Sequence, residues 1–170
     1  MVSKGLTGIS AGDSKISTVG LGSGLNYRGY NIKDLAEKST FEEVLHLLLF
    51  ERLPTQQELD ELIRKISQFR NLPQNLQAIL ENLPANSHPM DVLRTTCSAL
   101  GTIEPESTSN NQFEITIRLI AIFGPALLYW YHFHKSNRLL KINTNTGTND
   151  TVASNFVKLL YYDGKEVYIY

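Results

Sequence analysis

From Asn31 onward, apolar residues recur at the three- and four-residue spacing of helices, whereas the first thirty positions do not. In that opening stretch, Ile16-Ser17-Thr18-Val19 and Leu25-Asn26-Tyr27-Arg28 are short β-prone runs around Gly20, Gly22 and Gly24. Glycine tolerates positive φ, so the pattern predicts a small hairpin with a loose turn. Beyond it, Ile32, Leu35 and Ala36 mark a short first helix. Thr40 and Glu43 then have the spacing of a capping box, in which the hydroxyl serves an orphan amide and the carboxylate reaches back. The helix they open carries Phe41, Val44, Leu45 and Leu48 on one face. Leu47 and Leu49 widen that face until the segment must be largely buried. Thr55 and Glu58 repeat the cap after Pro54, ahead of a stripe of Leu59, Leu62, Ile63, Ile66 and Phe69.

Pro73 suits the first turn of the next helix, which buries Leu76, Ile79, Leu80 and Leu83 and ends at Pro84. Ser87-His88-Pro89-Met90-Asp91 starts another, running to about Gly101. Ile103–Asn111 is polar, contains Pro105 and reads as a loop. A longer helix spans about Gln112 to His134, with Pro125 as an expected kink. Lys141–Asp150, rich in Asn and Thr, is a second loop. Asn149 or Asp150 can cap a last helix holding Val152, Phe156, Val157, Leu159 and Leu160. The expectation is an all-α fold with a small β-hairpin near the N-terminus: residues 1–30 as the hairpin segment, and 31–170 as the helical domain.

Composition narrows the function classes. With 170 residues, 42% apolar and 19% charged, the chain can bury a core of its own. A formal net charge of −1 offers no electrostatic reason to bind nucleic acid or an acidic membrane. The most apolar stretch, Leu119–Tyr131, falls short of the roughly 20 residues of a bilayer span and is interrupted by Pro125. The single cysteine, Cys97, permits no internal disulfide and fits a reducing compartment. Met1–Ile9 has neither the apolar core of a signal peptide nor an Arg-rich amphipathic pattern, so a cytoplasmic protein is expected. Without a secretion signal, the glycosylation match at Asn149-Asp150-Thr151 carries no weight.

Candidate chemistry is sparse. His46 lies in the apolar stretch Val44–Phe50, which favours a hydrogen-bonded core histidine over a catalyst. His88 precedes Pro89 at a helix start, where its ring can organise the turn. His132 and His134 are two apart on a helix, point to different sides and cannot share a metal there. No metal site is expected, and no nucleophile-elbow motif occurs. Gly20-Leu21-Gly22-Ser23-Gly24 lacks both the dinucleotide-binding spacing and a Walker lysine, so it reads as a turn. Arg64, Lys65 and Arg70 could meet an anionic substrate, with Lys65 kept as the one substrate-binding candidate. Charges opposite an apolar stripe are more often a solvated face. Tyr129-Trp130-Tyr131-His132 could line a pocket, although an aromatic band on a central helix is more often core or interface.

Several segments together resemble the first half of citrate synthases, and in particular of the 2-methylcitrate synthases. They are Gly5-Leu6-Thr7-Gly8 with Ala11-Gly12, Tyr27-Arg28-Gly29-Tyr30-Asn31-Ile32 with Asp34-Leu35, and Phe41-Glu42-Glu43-Val44 with His46-Leu47-Leu48. Leu53-Pro54-Thr55, Leu72-Pro73, Ser87 through Thr95 and Ser98-Ala99-Leu100-Gly101 follow in order. Leu127-Leu128-Tyr129-Trp130-Tyr131-His132 resembles the methylcitrate branch. The resemblance implies that 31–170 is an incomplete helical large domain of citrate-synthase type. It also implies a homodimer formed through the Pro89–Gly101 helix. The implied reaction is condensation of propionyl-CoA with oxaloacetate, releasing CoA with no cofactor. The family needs an aspartate base, two histidines and carboxylate-binding arginines. These lie in its second half, and none of the four histidines here matches them by motif, so no catalytic residue is assigned.

Phe50-Glu51-Arg52 stands where the family usually has a glycine. After Tyr162-Asp163-Gly164-Lys165-Glu166 the family pattern gives way to Val167-Tyr168-Ile169-Tyr170, as a premature stop or a frameshift would produce. The chain by itself is therefore expected to be inactive. The alternatives are a half-enzyme completed by a separate C-terminal polypeptide, or a non-catalytic module that pairs with a full-length synthase.

Overall fold

A computed structural model describes residues 12–18, 24–135 and 150–162. The chain separates into two compact units, Met1–Pro54 and Thr55–Tyr170. The compositional change near residue 30 falls inside the first.

In the first unit, β1 (Ser17–Thr18), β2 (Asn26–Tyr27) and β3 (Tyr30–Asn31) form an antiparallel sheet in that order. Ser17 stands opposite Tyr27, and Tyr27 opposite Tyr30. The first pairing is the expected hairpin, although Gly20 and Gly22 lie outside the described residues. The third strand is new. It follows from Arg28 and Gly29, whose φ angles of 49° and 88° are both positive, as the two-residue turn that best matches strand twist requires. Asn31 closes this strand and caps α1 (Ile32–Lys38), its side-chain oxygen accepting the Lys33 N–H at 2.9 Å.

α2 (Phe41–Phe50) begins with the expected capping box. The Thr40 N–H donates to Glu43 Oε2 at 2.6 Å, and the Glu43 N–H to Thr40 Oγ1 at 3.3 Å. Its buried face is Glu42, Leu45, His46 and Leu47, rotated from the expected one. Phe41, at the first helical position, is 54% exposed. Glu51 ends α2 in the left-handed region, with φ 68°. Arg28 reaches this end, donating from Nη2 to the Leu48 carbonyl at 3.2 Å and pairing with Glu51 at 3.1 Å. A cation suits the negative end of a helix dipole.

Glu51 thus occupies a position that favours glycine. Its ion pair with Arg28 is open to solvent on the Glu51 side, 70% exposed, and contributes modestly in return. Glu51→Gly is therefore expected to stabilise the chain by about 0.5–1 kcal/mol, read as a higher midpoint in urea. A lower midpoint would show that the Arg28 pair outweighs the backbone cost.

The second unit contains α3 (Gln56–Gln68), α4 (Gln74–Asn82), α5 (Pro89–Ile103), α6 (Gln112–Lys135) and α7 (Val152–Leu160). Thr55 and Glu58 form the second capping box. α6 touches α3, α4, α5 and α7. Leu76, Leu80, Val92, Ile122, Ala126 and Leu159 pack the core from these helices, with none of their surface left in solvent contact. With 24 residues, α6 is by length and composition able to cross a bilayer. Here it is the central helix of the unit: Ile117, Ala121, Ile122, Ala126, Leu128, Tyr129, Trp130 and Phe133 are buried, while Phe113 and Tyr131 remain exposed. Pro125 is buried within it without ending it.

Pro73 stands one position before α4, as its cap, rather than in the first turn. α5 continues two residues past Gly101. The cap of α7 is Thr151 and not Asn149 or Asp150: Thr151 Oγ1 accepts the Ser154 N–H at 3.1 Å. The Asp150 carboxylate instead accepts from Ser154 Oγ at 3.1 Å and Lys158 Nζ at 2.7 Å. Arg70, expected on a solvated face, is 1% exposed, and its Nη2 donates to the Asp150 carbonyl. An arginine so buried needs such acceptors to offset its desolvation. Residues 141–149 of the expected second loop lie outside the described residues.

Candidate functional site

Each imidazole is used by the fold. His46 is buried, and its Nδ1 lies 2.9 Å from the Arg52 carbonyl, which can only accept, so Nδ1 carries the proton. Its ring tilts against Phe50 at 4.7 Å. His88 has the opposite tautomer: its Nδ1 accepts the Met90 N–H at 3.2 Å and caps α5, as its place before Pro89 suggested. His132 is buried and donates from Nε2 to the Leu159 carbonyl at 2.7 Å, tying α6 to α7. His134 points elsewhere, donating from Nε2 to the Leu80 carbonyl at 3.4 Å and lying beside Trp130. Among the described residues, no group of three or more His, Cys, Asp or Glu side chains could hold a metal ion.

The basic side chains of α3 diverge. Arg64 is exposed, and its Nε donates to the Asp60 carbonyl one turn back. Lys65 forms an ion pair with Glu114 of α6 and sits 5.9 Å from the centre of the Phe69 ring. Its charge is thus already opposed by a carboxylate.

A cavity of about 280 Å³ opens between the later turns of α5 and the start of α6, lined by Cys97, Gly101, Glu104, Asn110, Arg118 and Leu119 among others. Sequence reasoning did not single out its charged residues, because Glu104 and Arg118 are 14 positions apart on different elements. Arg118 donates from Nε and Nη2 to the two Glu104 oxygens at 2.9 and 2.8 Å. Its Nη1 donates to the Phe69 carbonyl and to that of Asn71 at 3.1 Å. A guanidinium so fully engaged has little left for a ligand's carboxylate. Cys97 is exposed and forms no disulfide. Cys97 shares this lining with Glu104, whose carboxylate is held by Arg118.

The aromatic band of α6 is core at Tyr129 and Trp130, with Tyr131 facing outwards. The Tyr129 hydroxyl donates to Glu81 Oε1 at 2.6 Å. Burial first, and then the hydrogen bond and charge of Glu81, hold the Tyr129 hydroxyl well above its ordinary value near 10. A phenol stabilised in its neutral form contributes fully below about pH 10, and the contribution is lost as pH rises through the higher folded value. Tyr129→Phe is expected to cost about 1–2 kcal/mol at neutral pH, and the cost should shrink in strong alkali. Urea unfolding at pH 7 and above pH 10 checks this; an equal cost at both would rule out the neutral-phenol bond.

Comparison with known proteins places this arrangement. Residues 5–168 match the family model described as citrate synthase, C-terminal domain. The chain is 48% identical over 158 residues to a 2-methylcitrate synthase of Shewanella oneidensis, covering 92% of this chain and 41% of that protein. It is 33% identical over 164 residues to 2-methylcitrate synthase 1 of Corynebacterium glutamicum, covering 94% and 42%. The crystal structure of a citrate synthase from Thermotoga maritima superposes with a TM-score of 0.78 at 33% identity, over 98% of this chain and 43% of that one. The chain thus spans about two-fifths of the length of these relatives, and over that span it belongs to the citrate synthase family.

Proposed function

We propose that the chain is the first, helical part of a 2-methylcitrate-synthase-type enzyme, and that by itself it is a scaffold without catalytic groups. The enzyme type condenses propionyl-CoA with oxaloacetate. A base removes the α-proton of the thioester, the enolate carbon bonds to the ketone carbon as the carbonyl π bond breaks and its oxygen takes up a proton, and water cleaves the thioester to release CoA. Such a step needs a free base and donors aimed at the developing enolate oxygen. The observation that carries the reading is the fate of the imidazoles: all four make a hydrogen bond to the backbone. The 48% identity to the Shewanella 2-methylcitrate synthase supports propionyl-CoA as the thioester.

The purified 170-residue chain, given propionyl-CoA and oxaloacetate, is expected to release no CoA above the uncatalysed rate in a thiol assay. Turnover by the chain alone would refute the scaffold reading. Lys65 keeps a substrate-binding role in this proposal only if a partner displaces Glu114 from it.

The same proposal places the protein in the cytoplasm, as a dimer through the outer face of α5. Met90 is 64% exposed there, and Arg94 and Cys97 also face outwards. A second reading draws on that face: the chain pairs with a full-length synthase and modulates it. Co-expression with the intact Shewanella relative, followed by sizing, separates the two. A mixed dimer supports the modulator, and two separate species reject it.

A further inference from the structure

α7 carries apolar side chains on two faces. One is built into the core: Leu159 is fully buried, and Phe156 packs against the α6 side of the cluster. The other comprises Ala153, Val157, Leu160 and Tyr161, spaced i, i+4, i+7 and i+8 along the helix and its last cap residue, all exposed. Tyr161 is 65% exposed. The only charge on α7, Lys158, pairs with Asp150 at 2.7 Å and is largely withdrawn from solvent. The outer stripe is therefore uncharged, and it has the period with which one helix meets another. A helix apolar on both faces is a buried helix lacking one of its neighbours.

We infer that the Ala153–Tyr161 stripe of α7 is a docking surface for an apolar helix from the remaining part of a citrate-synthase-family chain. The inference rests on the reading that this chain is the first part of such an enzyme. The occupant follows from the comparison of lengths. The superposed citrate synthase of Thermotoga matches nearly all of this chain, yet more than half of its own residues lie outside the match. Those residues are the part of that chain for which this one has no counterpart. An uncharged stripe selects a partner face that is likewise uncharged, so complementarity here is one of shape and apolar area.

The test co-expresses the tagged chain with the portion of the Shewanella 2-methylcitrate synthase that its match leaves uncovered. Capture on the tag and sizing then read the complex. A one-to-one complex is expected. Val157→Asp with Leu160→Asp should reduce co-elution by about tenfold or more, with helical circular dichroism of the chain unchanged. Leu160→Met, which keeps the apolar contact, should retain it. Co-elution unaffected by the aspartates would overturn the proposal, as would no co-elution of the unsubstituted chain. A self-dimer of the chain that the aspartates dissolve, without capture of the second polypeptide, would assign the stripe to a second copy and also overturn it. CoA release measured on the captured complex separates this proposal from the one beneath it. An aspartate-sensitive complex without turnover keeps the docking surface and removes the enzymatic reading. Turnover in a complex indifferent to the aspartates does the reverse.

Discussion

Replacing Arg118 with alanine is expected to destabilise the chain by about 3 kcal/mol, toward the lower end of the cost of breaking a buried ion pair. The guanidinium side chain is 13% exposed and joins three parts of the second unit. It binds the Glu104 carboxylate through two parallel bonds, and it serves two carbonyls beyond the end of α3. The Phe69 ring lies 5.9 Å from it. Alanine would strand both carbonyls and leave the Glu104 charge at the C-terminal end of α5, where the helix dipole opposes it. Because Glu104 keeps some contact with solvent, the loss should not reach the upper range seen for fully enclosed pairs. Arg118→Lys should recover less than half, since an ammonium cannot form the parallel pair. A double-mutant cycle with Glu104→Ala, read by urea unfolding, should show the two costs to be strongly non-additive. Additive costs, or a loss below about 1 kcal/mol, would reduce the pair to a surface ornament.

Arg118 also shows where the sequence stops being legible. The helix starts at Thr40 and Thr55 could be read directly, because a capping box is a relation between residues three apart. His88 was legible for the same reason: its acceptor atom and the amide it serves are two residues apart. The α7 cap was misplaced by a residue or two because Asn149, Asp150 and Thr151 are all competent cap residues, and tertiary contacts chose among them. Asp150 is drawn to Lys158 and Arg70, leaving Thr151 as the cap. Arg70 itself was read as solvated. Its acceptor is 80 positions away, and no periodicity encodes such a distance. The third strand was missed because an Arg-Gly turn with two positive φ angles is an uncommon way to make a tight hairpin.

The site divides along the same line. That His46 would be structural was legible from its apolar surroundings; for His132 and His134 the spacing showed only that they point to different sides of the helix. Which nitrogen carries the proton was not legible, since it depends on carbonyls brought in by folding, such as that of Leu159 against His132. The family was legible because ordered short motifs such as Ser87 through Thr95 survive without any knowledge of contacts. The Glu104–Arg118 cavity belongs to no local motif and appears only once α5 and α6 are packed.

The other large effect expected is at Gly124. A Cβ built there would lie 3.1 Å from the Phe156 ring, so α6 and α7 approach each other through the missing side chain. Alanine is a mild change. It gains about 1 kcal/mol of helix propensity and asks the half-buried Phe156 ring to move by a few tenths of an ångström, so the net effect should be near zero. Leucine is different. Its branched end has to occupy the volume of Phe156, and pushing α7 outwards would also strain the His132–Leu159 bond. Overpacking of this kind costs about 3 kcal/mol or more, and the cost should fall on α7. Hydrogen exchange on Gly124→Leu should therefore show the amides of Asn155–Leu160 losing protection while those of α4 and α5 keep theirs. Uniform loss across all three helices would mean that α7 is not a separable element but part of one cooperative core. Unchanged protection of α7 would mean that the close approach at Gly124 does not hold the two helices together.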